Sequence, residues 1–166
     1  IGQDGGLALQ IFDVSNPAAP TQAHKFVYTN ESGYSEAQNN HKAFTYFADR
    51  KLLAFPFVGY TQTGMKSTLE IFKIDTTAGI QRVGGVDHTS FFTSINSVNR
   101  GYCGGYFEPA VRRGVFLENV VYSVSYGGIL ANDATTLAQI SSLALPQPQL
   151  QGYAGCGVDG SPPLRE

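Results

Sequence analysis

Residues 9 to 15, Leu-Gln-Ile-Phe-Asp-Val-Ser, alternate apolar with polar side chains, and residues 69 to 75, Leu-Glu-Ile-Phe-Lys-Ile-Asp, repeat the pattern 60 residues later. A weaker third copy follows at the same spacing, with Ile129, Ala131, Ala134 and Thr135 standing where Leu69, Ile71, Ile74 and Asp75 stand. Alternation with a period of two is the signature of a strand with one face covered. After each copy comes a turn and then a second alternating run, so the repeating unit is at least a strand pair. The pattern predicts strands over 7–14 and 23–28, joined by a turn that Pro17 and Pro20 enforce. It predicts further strands over 42–47, 52–58, 67–74 and 80–86, and then over 113–118, 120–125, 128–131 and 137–145. Residues 59–66 read as a long polar connection and residues 87–109 as a long crossing rich in Gly, Asn, Ser and aromatic side chains.

A strand set that recurs in this way cannot bury its own apolar face and must stack on its neighbours, as the blades of a propeller do. The expected fold is all-β: a β-propeller portion of about two and a half four-stranded antiparallel blades. The half blade covers residues 7–28, the first full blade 41–88 and the second 111–145, so that 1–145 form a partial propeller and 146–166 an extended tail rich in Pro, Gln and Gly. Four-stranded blades take roughly 40 to 60 residues each. A chain of 166 residues is therefore expected to supply only an arc of the ring. The first copy lacks the inner strand pair that precedes the later ones, so the remaining blades are expected from an upstream segment or a second chain.

Composition narrows the function classes. The formal net charge is −2 and the basic residues form no cluster beyond Arg112-Arg113, which excludes a nucleic-acid binder. No apolar run reaches the ~18 residues of a membrane span, and Ile1 to Gly6 do not read as a signal peptide. No Gly-x-Ser-x-Gly nucleophile elbow is present.

Three groups of residues carry candidate chemistry. Glu36, His41 and His88 offer two imidazoles and a carboxylate at the ends of one predicted blade, a set that suits Zn²⁺ or another divalent metal as cofactor. The plainer reading is that they hydrogen-bond backbone in a crossing loop, with no cofactor, since their spacing matches no metal motif. Arg112 and Arg113 can face an anionic ligand near the ring axis, or pair with Glu108 or Glu118. Phe91, Phe92, Tyr102 and Tyr106 in the long crossing either form a recognition surface for a protein or glycan or pack over a blade edge.

Several runs are also familiar as a set. SEAQNNHKAF (35–44), KLLAFPF (51–57) and VRRGVFLENVVYSVSYGGILANDATTLAQI (111–140) resemble, in order, the pattern of a family of secreted prokaryotic β-propeller proteins, a carboxy-terminal propeller distantly like the WD40 kind. LQIFDVSNPAAP (9–20) resembles the LVIVD-type propeller repeat. One departure is Asn40, where the family pattern has Asp before His-Lys-Ala-Phe. The resemblance implies a secreted or cell-surface location and a module defined by fold rather than by a reaction. In that setting Cys103 and Cys156, the only two cysteines, are expected either to form a disulfide that pins the tail or to remain free thiols. The expected function is a non-catalytic module that binds a protein or carbohydrate partner. The alternatives are a metal-dependent site using Glu36, His41 and His88, and a purely architectural segment.

Overall fold

The computed structural model describes residues 1–28, 32–61, 64–92 and 110–146. All of their strands pair antiparallel, in three sheets, and no α-helix occurs among them. The first sheet holds β1 (Gly2–Gln3), β2 (Leu7–Asp13) and β3 (Thr21–Val27) in that spatial order. The second holds β4 (Ser32–Tyr34), β5 (Thr45–Phe47), β6 (Leu52–Thr61), β7 (Gly64–Asp75) and β8 (Gly79–Asp87). The third holds β9 (Val111–Leu117), β10 (Val120–Ser125), β11 (Gly128–Asp133) and β12 (Gln139–Ala144), neighbours in chain order.

The second sheet is covered on both faces, which explains why 52–57 read as an almost unbroken apolar run. Leu52 and Ala54 on β6, Leu69 and Ile71 on β7 and Val86 on β8 meet Val111, Val121 and Leu130 of the third sheet and Ala134 of the turn after β11. The alternate residues Leu53, Phe55 and Phe57, with Phe72, meet Leu7 and Leu9 of the first sheet and pack against Phe26 and Tyr28. Each such side chain contributes about 1.5–3 kcal/mol by leaving water. Ring contacts add direction: Phe26 stands edge-on to Phe72 at 5.0 Å, and Tyr28 stacks on Phe57 at 4.6 Å. The third sheet is covered on one face only. Its register places Val115, Leu117, Val120, Tyr122, Val124, Ile129, Ala131 and Leu143 on the other face, with Arg113, Asp133 and Ser141 among them. Of these only Ala131 is buried, and Val115, Leu117 and Leu143 are 51–61% exposed.

The 60-residue repeat is written into the backbone. The register of the outer strand slips by one residue beside Ile11, Ile71 and Ala131, which leaves Ala23, Val83 and Ile140 as the extra residues of three matching β-bulges. An aspartate closes each following turn by accepting backbone N–H groups: Asp13 from Ser15, Asp75 from Thr77 and Ala78, and Asp133 from Thr135 and Thr136. Here the third copy departs from expectation. Asp133, rather than Thr135, takes the role of Asp75, because the strand ends two residues after its bulge and not four, so Ala134 and Thr135 fall in the turn.

Other boundaries also move. Gly2–Gln3 adds a short third strand to the expected pair of the first sheet. The inner strand expected over 42–47 is only Thr45–Phe47, because the Asn40 carboxamide oxygen accepts the Lys42 N–H and winds His41–Ala43 into a 3-10 turn. A second short strand, β4, pairs with the far end of β6, so β4 and β5 lie on the same edge on either side of Pro56. That arrangement suits a residue with no N–H to donate. The expected connection over 59–66 instead extends β6 and β7 as one long hairpin.

Candidate binding site

One polar cluster joins the first strands of the second and third sheets. Its carboxylate comes from Glu36, in a 3-10 turn whose Ser35 and Gln38 cap each other reciprocally. The cations come from β9, where the ladder to β10 passes from Arg113 opposite Val124 to Val111 opposite Ser125 and leaves Arg112 as the bulged residue. Successive side chains of a regular strand diverge to opposite faces; the bulge lets two consecutive arginines converge. Arg113 donates from one terminal nitrogen to Glu36 Oε1 at 2.9 Å, and Arg112 Nε lies 3.2 Å from Oε2. The Asn40 side-chain amide donates to the same Oε1 at 2.6 Å.

Burial raises the Glu36 carboxyl, but the hydrogen bonds from Arg113 and Asn40 and the field of the two cations outweigh it, so the group sits below the usual carboxylate range. It is ionised at neutral pH. The Arg112 guanidinium also lies over the Tyr126 ring, 5.8 Å from its centroid. Both arginine side chains are about one-third exposed. The cluster holds two cations and one anion. Thr45 Oγ1 donates to the Gly114 carbonyl at 2.9 Å and fastens β5 to β9 beside it.

A family comparison identifies the scaffold. The model of the family described as Beta propeller domain matches residues 1–137. The chain belongs to the β-propeller domain family. Searches of curated proteins and of solved structures return no match. The three stacked antiparallel sheets are thus part of a β-propeller, and the Arg112–Arg113–Glu36 cluster lies between β9, the first strand of the third sheet, and the 3-10 turn Glu36–Gln38 that follows β4, the first strand of the second.

Within this propeller segment the three residues expected to bind metal part company. Glu36 is held by the two arginines. His41 is exposed in its 3-10 turn. His88 is fully buried beyond the end of β8, with Nδ1 2.9 Å from Ser125 Oγ and Nε2 2.6 Å from Ser123 Oγ. Among the described residues no three His, Cys, Asp or Glu side chains gather as a metal ion requires. Glu118, one expected partner of the arginines, instead occupies the turn at the far end of β9; Glu36 takes that place.

Phe91 is partly buried and packs against the cluster shared by the second and third sheets, its ring 5.3 Å from that of His88 between centroids. Phe92 ends the 3-10 turn Thr89–Phe92. Tyr102, Tyr106, Glu108, Cys103 and Cys156 lie outside the described residues, as does the tail from 147 onward.

Two polar seams between the sheets went unread in the sequence. In one, Ser125 Oγ accepts the N–H groups of Gly127 and Gly128 and donates to the Gly128 carbonyl. Each ring nitrogen of His88 thus has a serine hydroxyl within hydrogen-bond distance, and a neutral imidazole, with one N–H and one acceptor nitrogen, suits the pair. In the other, Glu70 is fully buried and accepts from Thr68 Oγ1 (2.9 Å), Tyr28 OH (3.0 Å) and both Nε (2.6 Å) and a terminal nitrogen (3.1 Å) of Arg82. Burial, reinforced by the Glu70 charge, drives the Tyr28 hydroxyl far above its ordinary value. Glu70 lies in a polar slot of an alternating strand, a slot that reads as facing solvent until the first sheet is stacked on it.

Proposed function

We propose that this chain is a non-catalytic, secreted or cell-surface propeller module that completes its ring with further blades and binds a protein or carbohydrate partner. The observation that carries this reading is the unlike treatment of the two full sheets. The second is covered on both faces, whereas the third leaves Val115, Leu117 and Leu143 more than half exposed on a face that is mostly aliphatic and aromatic, with Arg113, Asp133 and Ser141 among its side chains. Exposed apolar faces of this kind mark interaction surfaces. A face patterned like those that already receive a neighbouring blade is suited to receive another.

The 166-residue chain prepared alone has only other copies to offer as such blades. It is expected to self-associate in sedimentation velocity, and Val115→Glu with Leu143→Glu to render it monomeric without loss of the β-sheet circular dichroism. A wild-type chain that is monomeric at every concentration, with the variants indistinguishable from it, would overturn the reading.

A further inference from the structure

We infer that Arg112 and Arg113 form a receptor for a carboxylate on an acidic peptide segment of a partner; this rests on the binding-module reading and names the chemistry of its ligand. Glu36 occupies only the inner side of the two guanidinium groups. Arg113 uses one terminal nitrogen for Glu36 and for the Arg112 carbonyl, and Arg112 turns Nε toward Glu36. Each guanidinium carries five N–H donors in a planar fork. Among the described residues, the terminal nitrogens of Arg112 and the second terminal nitrogen of Arg113 have no hydrogen-bond acceptor, and both side chains reach solvent.

The internal carboxylate has two effects. It holds Arg113 by a hydrogen bond and Arg112 by charge alone, its Oε2 having no hydrogen-bond partner among the described residues. It also sets the charge. Two arginines less one glutamate leave a surplus of one positive charge, which a single carboxylate neutralises and a phosphate dianion would overshoot. Asn40 preserves that surplus, since its amide donates to Glu36 where an acidic side chain would add a second anion. Arginine clusters that hold acidic motifs through paired, charge-assisted hydrogen bonds are an established recognition mode. The backbone supports the assignment: the bulge that brings the two side chains together is an irregularity in the ladder, placed at the residue whose re-aiming creates the site.

Calorimetric titration of the chain with pentaglutamate, pentaglutamine and tetragalacturonate tests the assignment. Pentaglutamate is expected to bind, with an affinity that falls as salt is raised, and pentaglutamine not to bind. Arg112→Gln and Arg113→Gln are each expected to weaken pentaglutamate about tenfold or more, the equivalent of losing a hydrogen bond to a charged group. Glu36→Gln is expected to tighten it and Asn40→Asp to weaken it; a merely structural role for the cluster would not produce these opposite signs.

Absence of pentaglutamate binding, tetragalacturonate binding in its place, or weakening by Glu36→Gln as severe as by the arginine variants would each overturn the proposal. The association of the chain through Val115 and Leu143 is measured separately. Failure here with association intact removes the ligand assignment alone, whereas loss of both removes the module reading.

Discussion

Acidification from pH 8 to pH 5 is expected to weaken the protein mainly through His88. The imidazole is sealed between β8 and β10, and its pKa falls to about 4 because burial disfavours the cation, a shift the nearby Asp87 charge only partly opposes. In the unfolded chain the ring titrates near 6.5. Between those two values the unfolded state binds a proton that the folded state refuses, so stability rises with pH across the window. The contribution is fully present above about 6.5, declines as the pH falls toward 4, and changes no further below that. At pH 5 the loss is about 2 kcal/mol, a large share of the ~5–15 kcal/mol that holds a domain of this size together.

Urea unfolding of the wild type and of His88→Asn at pH 8, 6.5 and 5 isolates the effect, because the carboxylates titrate alike in both proteins. The wild type is expected to lose about 2 kcal/mol more than the variant between pH 8 and pH 5. NMR of the His88 ring gives an independent reading if the variant folds poorly: its chemical shift is expected to stay constant from pH 7 down to pH 5. Parallel pH dependences in the two proteins, or a His88 resonance that titrates near 6.5, would refute the reasoning.

Two further predictions concern backbone positions. Glu118 has a φ of 53°, in the left-handed region that costs any residue with a Cβ, and it is exposed in the turn between β9 and β10; Glu118→Gly is expected to raise stability by about 0.5–1 kcal/mol in thermal unfolding. Gly84 and Gly85 are adjacent on β8 but differ in what a methyl group would meet. At Gly85 it would fall 2.5 Å from Glu70 Oε1, an atom fixed by buried hydrogen bonds, so Gly85→Ala is expected to cost about 2–4 kcal/mol; at Gly84 it would meet only the end of the Leu137 side chain at 2.8 Å, and Gly84→Ala is expected to cost less than about 1.5 kcal/mol in the same urea assay.

Alternation along the chain was enough to establish strands, their grouping by a 60-residue repeat and the all-β stack, because the direction of a side chain on a strand is local information with a period of two. The run at 52–57 is apolar at both parities, and the stacking of sheets on both faces of the second sheet accounts for it. What lies against a face is not local. Glu70 carries the same polar signature as a solvent-facing residue and is buried only because Tyr28 and Arg82 close over it. Arg112 and Arg113 read toward the nearest glutamates in sequence, yet their partner Glu36 lies 77 residues before Arg113, brought there by a turn and a bulge that leave no mark in the hydrophobic pattern. In the sequence Glu36, His41 and His88 read either as ligands for one metal or, more plainly, as loop residues that hydrogen-bond backbone; the stacking of two sheets sets His88 between two serines and Glu36 beside two arginines. Sequence period specifies which way a side chain points, and only the packing of distant strands specifies what it meets.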